Sequence, residues 1–211
     1  IGLDTVEEPM AIESDSLWLS FNVEIYNHAD HRPSLEARGH RFRSRSDAEV
    51  ILHLYEELGP DCVHELRGMF AFAVWDSRQR RLLLVRDRIG VKPLYWARLP
   101  DGAILFGSEL RALRRHPHFR GEIEPRAVAA FMRSACIPAP LTIYCGVHKL
   151  PPAHILSVKT GAEPALRCYW NLQDIAAAGQ RDLTSQSEPE LADELERLLR
   201  GSQEGQRYLK M

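Results

Sequence analysis

At 211 residues, 45% of them apolar, the chain has room for one domain of ordinary size with a real core plus a tail, so intrinsic disorder is not the default. Its 27 Lys and Arg against 29 Asp and Glu leave a net charge of −2, and no global field draws it to nucleic acid or an anionic membrane. Cys62, Cys136, Cys145 and Cys168 form no Cys-x-x-Cys pair and have no His partner at metal spacing. Neither a metal site nor a disulfide scaffold is expected, and a reducing cytoplasm fits. No apolar run approaches the ~20 residues of a spanning helix.

Residues 17–27, Leu-Trp-Leu-Ser-Phe-Asn-Val-Glu-Ile-Tyr-Asn, alternate as a strand with Leu17, Leu19, Phe21, Val23 and Ile25 on a buried face. Asn22 and Glu24 share the other face, roughly 7 Å apart. A carboxamide and a carboxylate so placed suit either one small polar ligand or plain solvent. Residues 27–39 predict a short helix anchored by Leu35 and stopped by Gly39, weakened by Pro33, since an interior proline costs about 3 kcal/mol. Ser46-Asp47-Ala48-Glu49, followed by Val50, Ile51, Leu54 and Leu58, predicts a capping box and an amphipathic helix ending at Gly59-Pro60. Asp47 then falls in the first turn, where the helix dipole favours a carboxylate whatever its function.

Strand-forming runs come next at 69–76, 81–86, 94–98 and 103–106, separated by turn signals, as in an antiparallel meander. Phe70, Phe72 and Val74 make one face bulky and Ala71 and Ala73 make the other thin, which suits a sheet covered on both sides. Ser108 is expected to cap a short helix reaching Arg114, and Pro125 to open another over 125–133 with Val128, Phe131 and Met132 inward. Pro138-Ala139-Pro140 and Pro151-Pro152 read as extended connectors, and 154–159 with 165–170 as a hairpin around Thr160-Gly161. Residues 171–187, rich in Ala, Gln, Ser and Gly, read as a linker. A last helix opens at Ser187-Glu188-Pro189-Glu190 and carries Leu191, Leu195, Leu198 and Leu199 in a stripe up to Gly201.

Asn22-Val23-Glu24-Ile25-Tyr26-Asn27 resembles the Asn-Gly-Glu-Ile-Tyr-Asn signature of the glutaminase domain of glutamine-hydrolysing asparagine synthetases, class II amidotransferases of the N-terminal-nucleophile type. In register with it are Glu8-Pro9-Met10, Arg67-Gly68-Met69-Phe70-Ala71-Phe72-Ala73, Arg86-Asp87-Arg88-Ile89-Gly90-Val91-Lys92-Pro93-Leu94-Tyr95, Phe106-Gly107-Ser108-Glu109-Leu110 and Pro138-Ala139-Pro140-Leu141-Thr142-Ile143-Tyr144. The resemblance runs to about Trp170. It implies an α+β fold, a four-layer αββα sandwich of two antiparallel sheets, incomplete at the N-terminus. It also implies a partial amidotransferase domain over 1–170, a linker over 171–187, and over 188–211 the first helix of a truncated synthetase domain with a divergent tail.

In that family an N-terminal cysteine thiolate attacks the glutamine side-chain amide, its own α-amino group acting as base, and a γ-glutamyl thioester and ammonia result. Ammonia then crosses a tunnel to β-aspartyl-AMP made from aspartate and ATP with Mg²⁺. The resemblance assigns Asn22 and the backbone N–H of residue 23 to the oxyanion hole, Asn22, Val23, Glu24 and Asp47 to L-glutamine binding, and Met69 to the tunnel. The nucleophilic cysteine, and the runs Arg-Gly-Pro-Asp and Arg-Arg-Leu-Ser, have no counterpart here; Ile1-Gly2-Leu3-Asp4 resembles the residues immediately C-terminal to the second run. The chain alone is therefore expected to be inactive and to fold poorly, with ATP and Mg²⁺ belonging to a synthetase half outside it and no cofactor or metal of its own.

Val23 replaces a glycine whose N–H is worth roughly 3 kcal/mol as an oxyanion donor. Its branched side chain is expected to crowd the site or forbid glycine's backbone angles, impairing the glutaminase. Ala153 also stands where the family has glycine, and Cys145 where it often has arginine. The expected partners are L-glutamine and the synthetase domain, with a homodimer left open and neither nucleic acid nor membrane involved. Two other readings remain: a pseudo-glutaminase kept as a binding or assembly module, and another class II amidotransferase.

Overall fold

Alternation along the first long strand sets the architecture. The computed structural model describes residues 9–12, 16–181 and 184–208. In it, β1 (Met10–Ala11) and β2 (Leu17–Ile25) are followed by helices α1 (His28–Ala37) and α2 (Glu49–Leu58) and a 3-10 turn, Gly59–His64. Strands β3 (Gly68–Asp76), β4 (Arg81–Arg86), β5 (Tyr95–Arg98) and β6 (Ile104–Gly107) come next, then α3 (Leu110–Leu113) and α4 (Pro125–Ser134). The chain continues through β7 (Val147–Lys149), β8 (His154–Lys159), β9 (Ala165–Cys168), α5 (Leu172–Arg181) and α6 (Glu188–Tyr208).

Two antiparallel sheets result, one ordered β1-β2-β3-β4-β8-β9 and the other β6-β5-β7. On one face of the larger sheet Leu19, Ile25, Phe70, Phe72, Val74, Leu83, Val85 and Ile155 pack against Leu35 of α1 and Val50, Ile51 and Leu54 of α2. On its other face the thin residues Ala71 and Ala73, with Leu84 and Leu156, meet Leu94, Leu150, Trp96 and Ile104 at the smaller sheet. The far face of the smaller sheet carries Ala97 and Val147 under Leu113 and Leu110 of α3. Helices, sheet, sheet and helix thus stack as the expected αββα layers.

Several local expectations give way to tertiary packing. The strands after β4 are not one meander: β5 and β6 cross to the second sheet, where β5 pairs β7, a three-residue strand too short to show alternation. In α3 the N-cap is Glu109, without a side-chain cap bond, not Ser108. On α4 the inward residues are Ala127 and Ala130, while Val128, Phe131 and Met132 are exposed. Their i, i+3 spacing lets two small residues lie against the domain and turns the large ones out.

Residues 172–181 are helical, capped by Asn171 Oδ1 accepting from the Gln173 N–H at 2.9 Å, and none of them is buried. Three consecutive alanines with Leu and Gln supply the propensity. Helix α6 runs past Gly201 to Tyr208, and its Leu191, Leu195, Leu198 and Leu199 are all exposed. The reading of Ile1-Gly2-Leu3-Asp4 lies outside the described residues.

Candidate functional site

The register of β2 on β3 places Asn22 opposite Ala71 and Glu24 opposite Met69, so Asn22, Glu24 and Met69 share the face turned toward the smaller sheet. Val23, opposite Phe70, has its side chain on the other face, partly buried against the main core. That side chain is turned away from Asn22 and Glu24, and residue 23 lies in regular strand.

Backbone direction can be read from Phe70. Its N–H donates to Asp87 Oδ2 at 3.3 Å, and its carbonyl accepts from the Asp87 N–H at 2.8 Å. Opposite residues of an antiparallel pair exchange both ladder bonds or neither, so Val23 and Phe70 exchange none. The Val23 N–H therefore points to the far edge of β2, as does that of Ile25, which donates to Asp47 Oδ2 at 2.7 Å. β1 covers that edge only opposite Trp18 and Leu19. An amide donor and a carboxylate thus line one edge, and Asn22 and Glu24 stand on the adjoining face.

Three devices hold this edge. Gly68 lies opposite Ile25, where a Cβ would come 2.0 Å from the Glu24 carbonyl oxygen, so only glycine lets the strands approach this closely. Asn27 bridges β2 to the start of β3, its side-chain amide donating to the Glu65 carbonyl at 2.9 Å and its Oδ1 accepting from the Arg67 N–H at 2.9 Å. The third device is a knot after β4. The buried Asp87 carboxylate accepts from the N–H groups of Ile89, Val91 and Lys92 at 2.9–3.2 Å, while Arg86 donates to the carbonyls of Gly90, Lys92 and Leu150 at 2.7–2.8 Å.

Gly90, at φ 72° with the Arg86 guanidinium 3.0 Å from an added Cβ, has no room for a side chain. The knot presents Lys92, whose Nζ lies 3.1 Å from Glu24 Oε1. Sequence reasoning missed Lys92, although it stands inside the Arg86–Tyr95 motif. The adjoining Ala153 sits at φ 57°, the left-handed region that glycine occupies without strain, and its N–H donates to the Asp87 carbonyl at 2.8 Å.

The segment that delivers Asp47 is not a simple capping box. Ser46 Oγ accepts from the Ala48 N–H at 3.2 Å, but Glu49 turns back to the N–H groups of Arg43 and Ser44, at 2.6 and 2.7 Å, and to Ser44 Oγ. Asp47 precedes α2 instead of lying in its first turn. Burial raises the Glu49 pKa, yet the neighbouring His53, Ser44 and the two backbone donors outweigh it and hold the group at about 2.

The cysteines lie elsewhere. Cys62 is buried in the main core and its thiol is pushed up to about 12, by burial first and then by Asp61. Cys136, Cys145 and Cys168 lie outside β2, β3 and the Lys92 loop. Among the described residues one group has metal-competent geometry: His40, His53 and Glu56, each offering one ligand atom within 4.8 Å of the others. The His53-x-x-Glu56 spacing on α2 was the available signal. No helix among the described residues is long and apolar enough to cross a membrane.

A family model for the glutamine amidotransferase domain matches residues 1–170. Asparagine synthetase [glutamine-hydrolyzing] 3 of Bacillus subtilis is 36% identical over 82% of this chain and 28% of its own length. A probable asparagine synthetase of Dictyostelium discoideum is 45% identical over 54% of this chain and 21% of its own. The chain thus spans about a quarter of the curated relatives it matches. A glutamine phosphoribosylpyrophosphate amidotransferase from B. subtilis shares the fold, with TM-score 0.51 and 18% identity over 77% of this chain and 32% of that one.

Proposed function

From the premise that this chain belongs to the glutamine amidotransferase domain family, we propose that its β2 edge binds L-glutamine and that it is the glutaminase portion of an asparagine synthetase. The observation that carries this is the meeting of the Val23 N–H and Asp47 at one edge of β2 with Asn22 and Glu24 on the adjoining face, Asp47 being fixed by the Ile25 N–H. Both oxygens of Asp47 are acceptors, and the bond to Ile25 uses Oδ2, so Oδ1 serves the substrate α-ammonium. Glu24, its charge shared with Lys92, is the second acceptor for that ammonium.

The Asn22 carboxamide and the Val23 N–H receive the oxyanion that forms when a cysteine thiolate attacks the side-chain amide carbon. Collapse of that tetrahedral species breaks the C–N bond, the departing amine takes the proton that the cysteine's α-amino group removed from the thiol, ammonia leaves beside Met69, and water then cleaves the γ-glutamyl thioester to glutamate and free thiol. None of Cys62, Cys136, Cys145 and Cys168 is the nucleophile in this reading; an N-terminal cysteine is. A synthetase domain would consume the ammonia, using aspartate, ATP and Mg²⁺. The exposed apolar faces of α4 (Phe131, Met132) and α6 (Leu195, Leu199) support such a neighbour.

The test is ammonia release from glutamine by the chain extended with the cysteine-bearing N-terminal segment of its relatives. Glutamine hydrolysis is expected, falling roughly 100-fold in kcat for Asn22→Ala. Equal rates for Asn22→Ala and the parent would overturn the assignment.

A further inference from the structure

On the helical side of the larger sheet, where the glutamine chemistry does not reach, two imidazoles and a carboxylate converge. His53 of α2 is 1% exposed, and its Nδ1 lies 3.2 Å from Nδ1 of His40, which lies just beyond α1. The same His40 nitrogen is 3.5 Å from Glu56 Oε2, one turn along α2 from His53. In the neutral tautomer whose Nε2 donates to Glu57 Oε1 at 2.9 Å, His40 Nδ1 keeps the lone pair. His53 Nε2 makes no hydrogen bond among the described residues and lies 3.7 Å from Glu49 Oε1. In the tautomer that turns its N–H toward that carboxylate, His53 Nδ1 offers a lone pair as well.

The two Nδ1 atoms stand at hydrogen-bond distance with a carboxylate oxygen beside them, an arrangement satisfied either by one proton between the imidazoles or by one metal ion within reach of all three. A tetrahedral Zn²⁺ with Zn–N of about 2.05 Å separates its nitrogen ligands by roughly 3.3 Å, which is the spacing of the two Nδ1 atoms. Glu57 behind His40 supplies the outer carboxylate that metal-bound histidines use to fix their tautomer. Arg78 engages Glu56 through Oε1, at 3.3 Å, so Oε2 remains for a metal, and Arg38 pairs with Glu57. The ring of Phe42, 4.3 Å from that of His53 and covered by Arg32, shields the apolar side.

We infer that His40 Nδ1, His53 Nδ1 and Glu56 Oε2 form a binding site for a divalent transition metal of the Zn²⁺ class, with water in the fourth position. Nitrogen and oxygen donors in this set favour Zn²⁺ over Mg²⁺ or Ca²⁺, which take oxygen alone. The metal ties residues 39–46 to α2. Glu49 grips Arg43 and Ser44 on the same segment, so occupancy stiffens the approach to Asp47. The site is independent of the glutaminase reading, since none of its ligands touches the β2 edge.

The test uses the full chain, stripped with chelator and titrated with ZnCl₂ by calorimetry, with thermal melting alongside and circular dichroism to confirm folding of each variant. Expected are one Zn²⁺ per chain, a higher melting temperature on binding, and a loss of affinity of about 100-fold or more in His40→Gln and at least 10-fold in Glu56→Gln. Co²⁺ in place of Zn²⁺ should give the visible spectrum of a tetrahedral site, absent in His40→Gln. His118→Gln, an exposed histidine elsewhere, should bind as the parent does. The inference is overturned if the stripped chain takes up no stoichiometric Zn²⁺, in which case the two imidazoles share a proton, or if His40→Gln and Glu56→Gln bind like the parent.

Discussion

Replacing Val23 with glycine separates two accounts of the glutamine site. If the valine side chain intruded on the substrate, glycine would relieve it and glutamine would bind or turn over faster. The structure turns that side chain onto the main core, on the face opposite Asn22 and Glu24, and leaves the N–H at the strand edge. Removing a half-buried valine side chain forfeits about 1 kcal/mol of burial, and glycine inside a strand adds about 0.5–1 kcal/mol of backbone entropy. The total, about 2 kcal/mol, lowers the melting temperature of a domain this size by roughly 4–8 °C. Thermal melting and glutaminase kinetics of the cysteine-extended chain measure both quantities. Val23→Gly should melt lower, with kcat/KM within about threefold of the parent, since the N–H donor is unchanged. A tenfold gain in kcat/KM without loss of stability would refute the reasoning.

Gly68→Ala places a Cβ 2.0 Å from the Glu24 carbonyl oxygen and must spread β2 from β3. Overpacking of about 1–3 kcal/mol is expected, read as a melting-temperature drop together with weaker glutamine binding; a variant that melts and binds normally would show the close approach is not real. Glu49 is held at about 2 against an ordinary 4.5, so its ionised form contributes to stability. Because the folded value is depressed, that stability is complete above about pH 4.5 and is lost as pH falls through about 2. The melting-temperature gap between the parent and Glu49→Gln should therefore be wide at pH 7 and shrink toward pH 3, and an unchanged gap would contradict it. Cys62, its thiol pushed up to about 12, should resist iodoacetamide at pH 8 while exposed Cys136 and Cys168 react. Mass mapping of the alkylated peptides would show otherwise if Cys62 reacted at their rate.

Local periodicity was legible in the sequence. Alternation along residues 17–25 sorted Leu19 and Ile25 from Asn22 and Glu24, and Phe70 against Ala71 foretold a sheet packed on both faces, because a strand's period of two is fixed by its backbone. On α4 the same kind of reasoning failed. Val128, Phe131 and Met132 are the large apolar residues of that stretch, but the helix turns Ala127 and Ala130 inward, and only the surroundings decide which stripe is buried.

At the site, Asn22, Val23, Glu24 and Asp47 were marked by motif, while their mutual geometry was not. The Asp47 bond to Ile25 spans 22 residues and the Lys92 pair with Glu24 spans 68, separations no local pattern encodes. The His40, His53 and Glu56 group escaped for the same reason, since His40 reaches α2 only when the segment after α1 folds over it.

The most direct test of the central claim is calorimetric titration of L-glutamine, and of N-acetyl-L-glutamine, into the extended chain with its nucleophilic cysteine replaced by alanine, and into the Asp47→Asn variant of the same protein. Asparagine can still accept the Ile25 N–H through its carbonyl oxygen, so the fold is kept while the charge that meets the ammonium is lost. The account predicts that L-glutamine binds the parent, that Asp47→Asn weakens it roughly tenfold to a hundredfold, and that the acetylated ligand, which has no ammonium, fails to bind either protein. Equal affinity of L-glutamine for parent and Asp47→Asn, or tight binding of the acetylated ligand, would contradict the placement of glutamine at this strand edge.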